Sequence, residues 1–126
     1  MIDTSEIDRW LELYVTAWKT DAPDDVARPF ADHARYYTEP FREAHVGRDD
    51  IVAWWIGQGD SKIPWTFEYE VIAREDNLHV VRGVTRYPEG VSSERSAPEA
   101  YHNIWLVTLE ADGRAIEFVE YWMLAH

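Results

Sequence analysis

Carboxylates dominate the chemistry open to this chain: 24 Asp and Glu stand against 12 Lys and Arg, for a formal net charge of −12. A carboxylate drawn out of water into an apolar site becomes a general acid or base near neutral pH. The other usual actors are missing or badly placed. There is no cysteine, which excludes disulfides, thiolate metal sites and thiol nucleophiles. His33, His45, His79, His102 and His126 are far apart, and no pair has helical metal-ligand spacing, so no metal site is expected. Gly57-Gln58-Gly59 ends a helix instead of opening one, so it lacks the geometry that cradles phosphate. No serine lies in a nucleophile elbow, and nothing calls for a cofactor. Nucleic acid is not an expected partner either, because phosphate binding needs a basic stripe.

Three helices and a run of strands must position whatever does the chemistry. Ile7, Trp10, Leu11, Tyr14, Val15 and Trp18 repeat at helical spacing and give one broad apolar face, with Asp3, Thr4 and Ser5 as capping oxygens before it. Asp21-Ala22-Pro23-Asp24 ends that helix and starts a second, with Pro at an early position. Pro29 keeps the second one short. A third helix is predicted after Gly47, carrying Ile51, Trp54 and Trp55 and stopping at Gly57 or Gly59. Ala34 to Phe41 is predicted as a short strand. Trp65 to Ala73 alternates, then Asp76-Asn77 turns the chain into Leu78 to Tyr87. A polar loop from Pro88 to Pro98 leads to Ala100 to Leu109, an Asp112-Gly113 turn and Ala115 to Leu124. The expected architecture is one α+β domain over residues 1–126, a curved mixed or antiparallel sheet wrapped around three helices with a central pocket.

Composition agrees with a folded domain. The chain is 46% hydrophobic, with seven Trp and seven Tyr, enough apolar surface to offset the entropy of ordering it. Charges interrupt every apolar stretch well before about 18 residues, so no membrane-spanning helix is expected. No signal-peptide pattern is visible at the N-terminus, and a cytoplasmic address is expected by default.

Certain local signatures, in this order, resemble the SnoaL-like branch of the nuclear transport factor 2-like superfamily. They are Tyr14-Val15-Thr16-Ala17-Trp18, Phe30-Ala31-Asp32-His33-Ala34, Thr38-Glu39-Pro40-Phe41, Gly47-Arg48-Asp49-Asp50-Ile51, Asp112-Gly113-Arg114 and Glu120-Tyr121-Trp122. The likeness spans essentially the whole chain and implies the cone fold. It does not imply one activity, since the fold hosts isomerases, cyclases, hydrolases, dehydratases and proteins without catalysis. Likeness to the ketosteroid isomerases makes Glu39, before Pro40-Phe41, the candidate acid or base, and Tyr14 a candidate hydrogen-bond donor. It puts Trp105 where that family has a second donor, an aspartic acid. An indole N–H donates but is not a protonated acid, a departure that argues against isomerase chemistry.

Alternation anchored on position 105 turns Tyr101, Asn103 and Trp105 inward, and matching the last strand on Trp122 adds Phe118 and Glu120. With Trp18 and Trp55 these residues form an expected aromatic pocket for a small, largely apolar ligand. Each has a plainer reading: Glu39 as a solvent-facing strand end, Glu120 as an ion pair with Arg48 or Arg42, Tyr14 and the tryptophans as core. The opposite sheet face, with Ala100, His102, Ile104, Leu106, Val119, Tyr121 and Met123, is too apolar for water and suggests a homodimer. Two functions follow as expectations: an enzyme of isomerase, cyclase or lyase type using a carboxylate, or a non-catalytic ligand-binding or structural homodimer.

Overall fold

The computed structural model describes residues 3–58, 64–88 and 98–125. The chain runs α1 (Ser5–Thr20), α2 (Pro23–Ala27), β1 (Phe30–Tyr37), β2 (His45–Val46), α3 (Arg48–Gln58), β3 (Thr66–Glu75), β4 (Leu78–Tyr87), β5 (Glu99–Leu109) and β6 (Ala115–Leu124). One sheet forms in the order β2-β1-β6-β5-β4-β3. β1 and β6 run parallel and every other pair is antiparallel, so the sheet is mixed and does not close. The architecture is the expected α+β one. The predicted Pro88–Pro98 loop lies almost wholly outside the described residues, as do Gly59 and His126. Among the described residues no helix is long and apolar enough to cross a membrane.

Local chemistry explains the helices. α1 buries Ile7, Trp10, Leu11, Tyr14 and Ala17 and ends at Asp21, whose left-handed backbone (φ 49°) lets its N–H bond back to the Ala17 carbonyl. α2 has only five residues because Pro23 opens it and Pro29 cannot continue it. The first strand differs from expectation: it occupies Phe30–Tyr37 and not Ala34–Phe41. Its pairing with β6 shifts register between Phe30 and Arg35, so burial along it is irregular and the period of two is lost. Glu39 and Phe41 therefore fall in the turn beyond the strand, where Arg42 N–H bonds the Glu39 carbonyl and Phe41 is fully exposed.

The interior is best seen as rows across β4, β5 and β6. His79, Val107 and Phe118 form one row, and Val81, Trp105 and Glu120 the next. Gly83, Asn103 and Trp122 follow, then Thr85, Tyr101 and Leu124. In the first row all three side chains have no exposure, and Phe118 stacks between Tyr14 and Tyr36. This end of the molecule is solid. Trp105 closes it, sandwiched by Phe67 at 4.8 Å. Gly83 makes that contact possible: a Cβ there would sit 2.4 Å from the Phe67 ring, so only glycine leaves room for Phe67 to cross β4. Beyond Trp105 the interior opens.

Candidate active site

The opening is a cavity of about 480 Å³, within the usual range for small-molecule sites. Its walls are Tyr14, Trp18 and Asp21 from α1 and its cap, Tyr36 and Thr38 from β1 and its end, and Trp54, Trp55 and Gln58 from α3. The sheet adds Thr85 and Tyr87 of β4, Tyr101, Asn103 and Trp105 of β5, and Glu120 and Trp122 of β6. Nine of these fifteen residues are aromatic, and the other six, Asp21, Thr38, Gln58, Thr85, Asn103 and Glu120, set polar groups among the rings.

One hydrogen-bonded cluster of the wall centres on Glu120. Its Oε2 accepts hydrogen bonds from Asn103 Nδ2 at 2.7 Å and from Trp105 Nε1 at 2.8 Å. Asn103 is itself fixed by Thr85, whose hydroxyl donates to Oδ1 at 2.9 Å. That bond supports the amide with its NH2 towards the carboxylate, the side an ionised carboxylate requires because it only accepts. Oε1 of Glu120 receives no hydrogen bond among the described residues. Withdrawal from water pushes the Glu120 carboxyl above the usual carboxylate range, and the Trp105 and Asn103 donors pull it partly back. A carboxylate so placed has the character of a general acid or base.

Two further groups are fixed at the wall. Tyr14 and Tyr36 hydroxyls lie 2.7 Å apart and share a hydrogen bond. Burial, then the neighbouring Tyr36 and Glu120, raises the Tyr14 phenol well above its ordinary range, so Tyr14 stays protonated and able to donate. Trp55 Nε1 donates to Asp21 Oδ1 at 2.9 Å, which ties the cap of α1 to α3. A side recess adjoins the cavity, sharing Thr38, Trp54 and Gln58 with it and adding Arg42, Glu43 and His45. His45 stacks on Trp54 there.

Of the residues singled out from sequence, Tyr14, Trp18, Trp55, Tyr101, Asn103, Trp105, Glu120 and Trp122 are brought together at the cavity. Glu39 is not among the lining residues; its carboxylate binds Arg42 at 3.2 Å, because β1 ends before it. Phe118 points inward as alternation required, but one row too deep, into the filled end. Trp105 does not offer its N–H to a ligand, since Glu120 takes it. Glu120 pairs with neither suggested arginine: Arg48 binds Asp32 at 2.6 Å and Arg42 binds Glu39. Among the described residues no cluster of three or more His, Asp or Glu could hold a metal ion.

Sequence reasoning missed Asp21, Tyr36, Thr38, Trp54, Gln58, Thr85 and Tyr87 as lining residues. Thr85 and Tyr87 had a signal, since they continue the inward alternation of Val81 and Gly83 on β4. Asp21 had none, because a helix-capping residue reaches a pocket only through the packing of two helices.

Comparison with known proteins fits this geometry. The SnoaL-like domain family matches residues 11–118. No curated protein matches the chain. Among solved structures, an epoxide hydrolase/cyclase-like enzyme, SalBIII, in pyran ring formation in the polyether salinomycin, superposes with a TM-score of 0.74 at 14% identity, covering 98% of this chain and 95% of that one. A ketosteroid isomerase-like protein from Erwinia carotovora atroseptica gives a TM-score of 0.65 at 19% identity, covering 94% of this chain and 95% of the other. At such identities these two structures speak for the shared fold, and the match over most of the sequence speaks for the family: the chain belongs to the SnoaL-like domain family.

Proposed function

We propose that this protein catalyses a proton transfer on a small, largely apolar molecule held in the aromatic cavity, in a reaction of isomerase, cyclase or lyase type. Glu120 is the acid or base. The observation that carries the reading is the Glu120 carboxylate itself, drawn out of water, held on one oxygen by Asn103 and Trp105, with the other oxygen uncommitted. As a base it takes a proton from the ligand's C–H bond, leaving the electron pair on the ligand. The proton then returns to the ligand at the same or a second atom. With Tyr36 as the donor within the Tyr14–Tyr36 pair, the Tyr14 hydroxyl is left to donate to a ligand oxygen and stabilise charge that develops there. The role first given to Glu39 passes to Glu120, because Glu39 is engaged by Arg42 away from the cavity walls.

The test needs no knowledge of the natural substrate. 5-Nitrobenzisoxazole loses a C–H proton to a desolvated base as its N–O bond breaks, releasing a coloured phenolate. The wild type should accelerate this well beyond acetate at the same pH, and Glu120→Gln should lower kcat/KM by about a hundredfold. Glu39→Gln should leave the rate unchanged. A wild-type rate no better than acetate, or a Glu120→Gln enzyme within threefold of wild type, would overturn the reading.

We also propose that two copies pair through the sheet face turned away from the helices. Tyr121 and Met123 are 46% and 67% exposed there, next to Ile104, Leu106 and Val119, more apolar surface than a free sheet face usually offers water. Light scattering at micromolar concentration should give the mass of a dimer, and Met123→Lys with Tyr121→Glu that of a monomer. A wild-type monomer would refute this.

A further inference from the structure

The cavity's charge is one-sided. Two carboxylic residues, Asp21 and Glu120, lie among its fifteen described lining residues, and no Lys, Arg or His does. Arg42 and His45 stand in the side recess, and Arg42 is already bound to Glu39. Glu120 makes no ion pair among the described residues; only two neutral N–H groups face it. A charge withdrawn from water ordinarily has a counter-charge, and none of the described residues supplies one. Around Glu120 the other lining groups are mostly rings whose faces carry negative potential, five of them indoles, the ring type that attracts cations best. Two of those indoles, Trp55 and Trp105, give their N–H edge to Asp21 and Glu120, so the positive edge of each is spent on a carboxylate.

We infer that the ligand of this cavity is a small apolar molecule carrying a positive charge, as a protonated amine or a quaternary ammonium, seated on the tryptophans with Glu120 as its counter-ion. The inference rests on the reading above that a ligand sits against Glu120, and it names the class of that ligand. It also makes that reading more coherent. A neutral apolar ligand would strip water from Glu120 and drive it to the acid form, whereas a cation beside it holds it ionised and ready to accept a proton. An anionic ligand would meet the Glu120 charge and the ring faces with the wrong sign.

Three probes of nearly one shape separate these cases: benzyltrimethylammonium, its neutral carbon analogue neopentylbenzene, and the anion phenylmethanesulfonate. Binding to the full chain at pH 8 is read by quenching of tryptophan fluorescence. The ammonium should bind at least tenfold more tightly than neopentylbenzene, and the sulfonate should not saturate. Glu120→Gln should reduce the preference to threefold or less, with the ammonium bound more weakly and neopentylbenzene at least as tightly as before, and Glu120→Asp, which keeps the charge, should retain it. Equal binding of hydrocarbon and ammonium, no saturable ammonium binding, or a preference undiminished in Glu120→Gln would each overturn the inference. The two proposals fail separately. Glu120-dependent elimination without ammonium preference sinks only the cationic ligand, and ammonium preference without elimination sinks only the proton transfer.

Discussion

Both ends of the interior hold a titratable side chain withdrawn from water, and they treat it differently. At the filled end His79 of β4 is fully buried, with neither ring nitrogen hydrogen-bonded among the described residues. It faces Val107 of β5, with Arg74 opposite on β3 and Glu6 of α1 near enough to act on it. Burial, with Arg74 adding to it and Glu6 opposing, lowers the His79 pKa. At the open end the same desolvation raises that of Glu120. One cause therefore drives a base down and an acid up, each towards its neutral form. What separates the two is what surrounds them. Glu120 has two directed donors and a cavity, so its ionisation is adjustable by a ligand. His79 has neither, and its two orphaned nitrogens only cost stability.

That contrast can be broken at either end. The larger effect belongs to His79→Leu, which fills a similar volume and removes two unsatisfied buried nitrogens, each such group costing about 1–3 kcal/mol. The variant should be the more stable, by chemical unfolding at pH 7. A lowered histidine pKa means that the unfolded chain takes up a proton first as pH falls. Wild-type stability should thus decline from about pH 6.5 downwards through the folded-state pKa, and the variant should lack that loss, so its advantage grows towards pH 5. Glu120→Gln should show the opposite slope and a smaller effect. Gln still accepts from Asn103 and Trp105, but it cannot ionise. A raised carboxyl pKa makes wild-type stability fall as pH climbs from the unfolded value of about 4.3 through the folded one, so Glu120→Gln gains on wild type with rising pH. If both variants shift in parallel with pH, desolvation is not the shared cause.

The long strands β4, β5 and β6 were more legible in the sequence than β1. β4 and β6 begin and end where alternation put them, and β5 starts one residue earlier, because half-buried strands leave a period-two record. The inward set Tyr101, Asn103, Trp105, Glu120 and Trp122 followed from that record. β1 left no such record: Pro29 is followed at once by paired chain, the register slips before Arg35, and a strand read a few residues late carried Glu39 to a place it does not hold. How deep a side chain sits along the cone was also invisible. Phe118 and Glu120 share a face, and only the packing of α1 and β1 decides that one meets rings and the other a cavity. Finally, the Trp105 N–H was readable as a donor, but not that it would be directed at Glu120, its cross-strand partner on β6.

The finest cut through the open end is Thr85→Val, which changes one hydroxyl to a methyl at nearly constant shape. Thr85 Oγ1 donates to Asn103 Oδ1, and together with the Glu120 carboxylate, which accepts from Nδ2, it holds the Asn103 NH2 towards Glu120. Without it the amide can turn, bringing its carbonyl against the carboxylate. That arrangement penalises the ionised form of Glu120 and suits the protonated form, which can donate back. The stability cost should be about 1 kcal/mol, the worth of one buried hydrogen bond. The more telling readout is the pH profile of 5-nitrobenzisoxazole elimination. Its rise marks Glu120 becoming a base, and in Thr85→Val that rise should move to higher pH, with the rate at alkaline pH within a fewfold of wild type. Thr85→Ser, which keeps the hydroxyl, should restore the wild-type profile. A rise that stays in place in Thr85→Val would mean that Asn103 holds its orientation unaided, and that the tuning of Glu120 comes from burial and Trp105 alone.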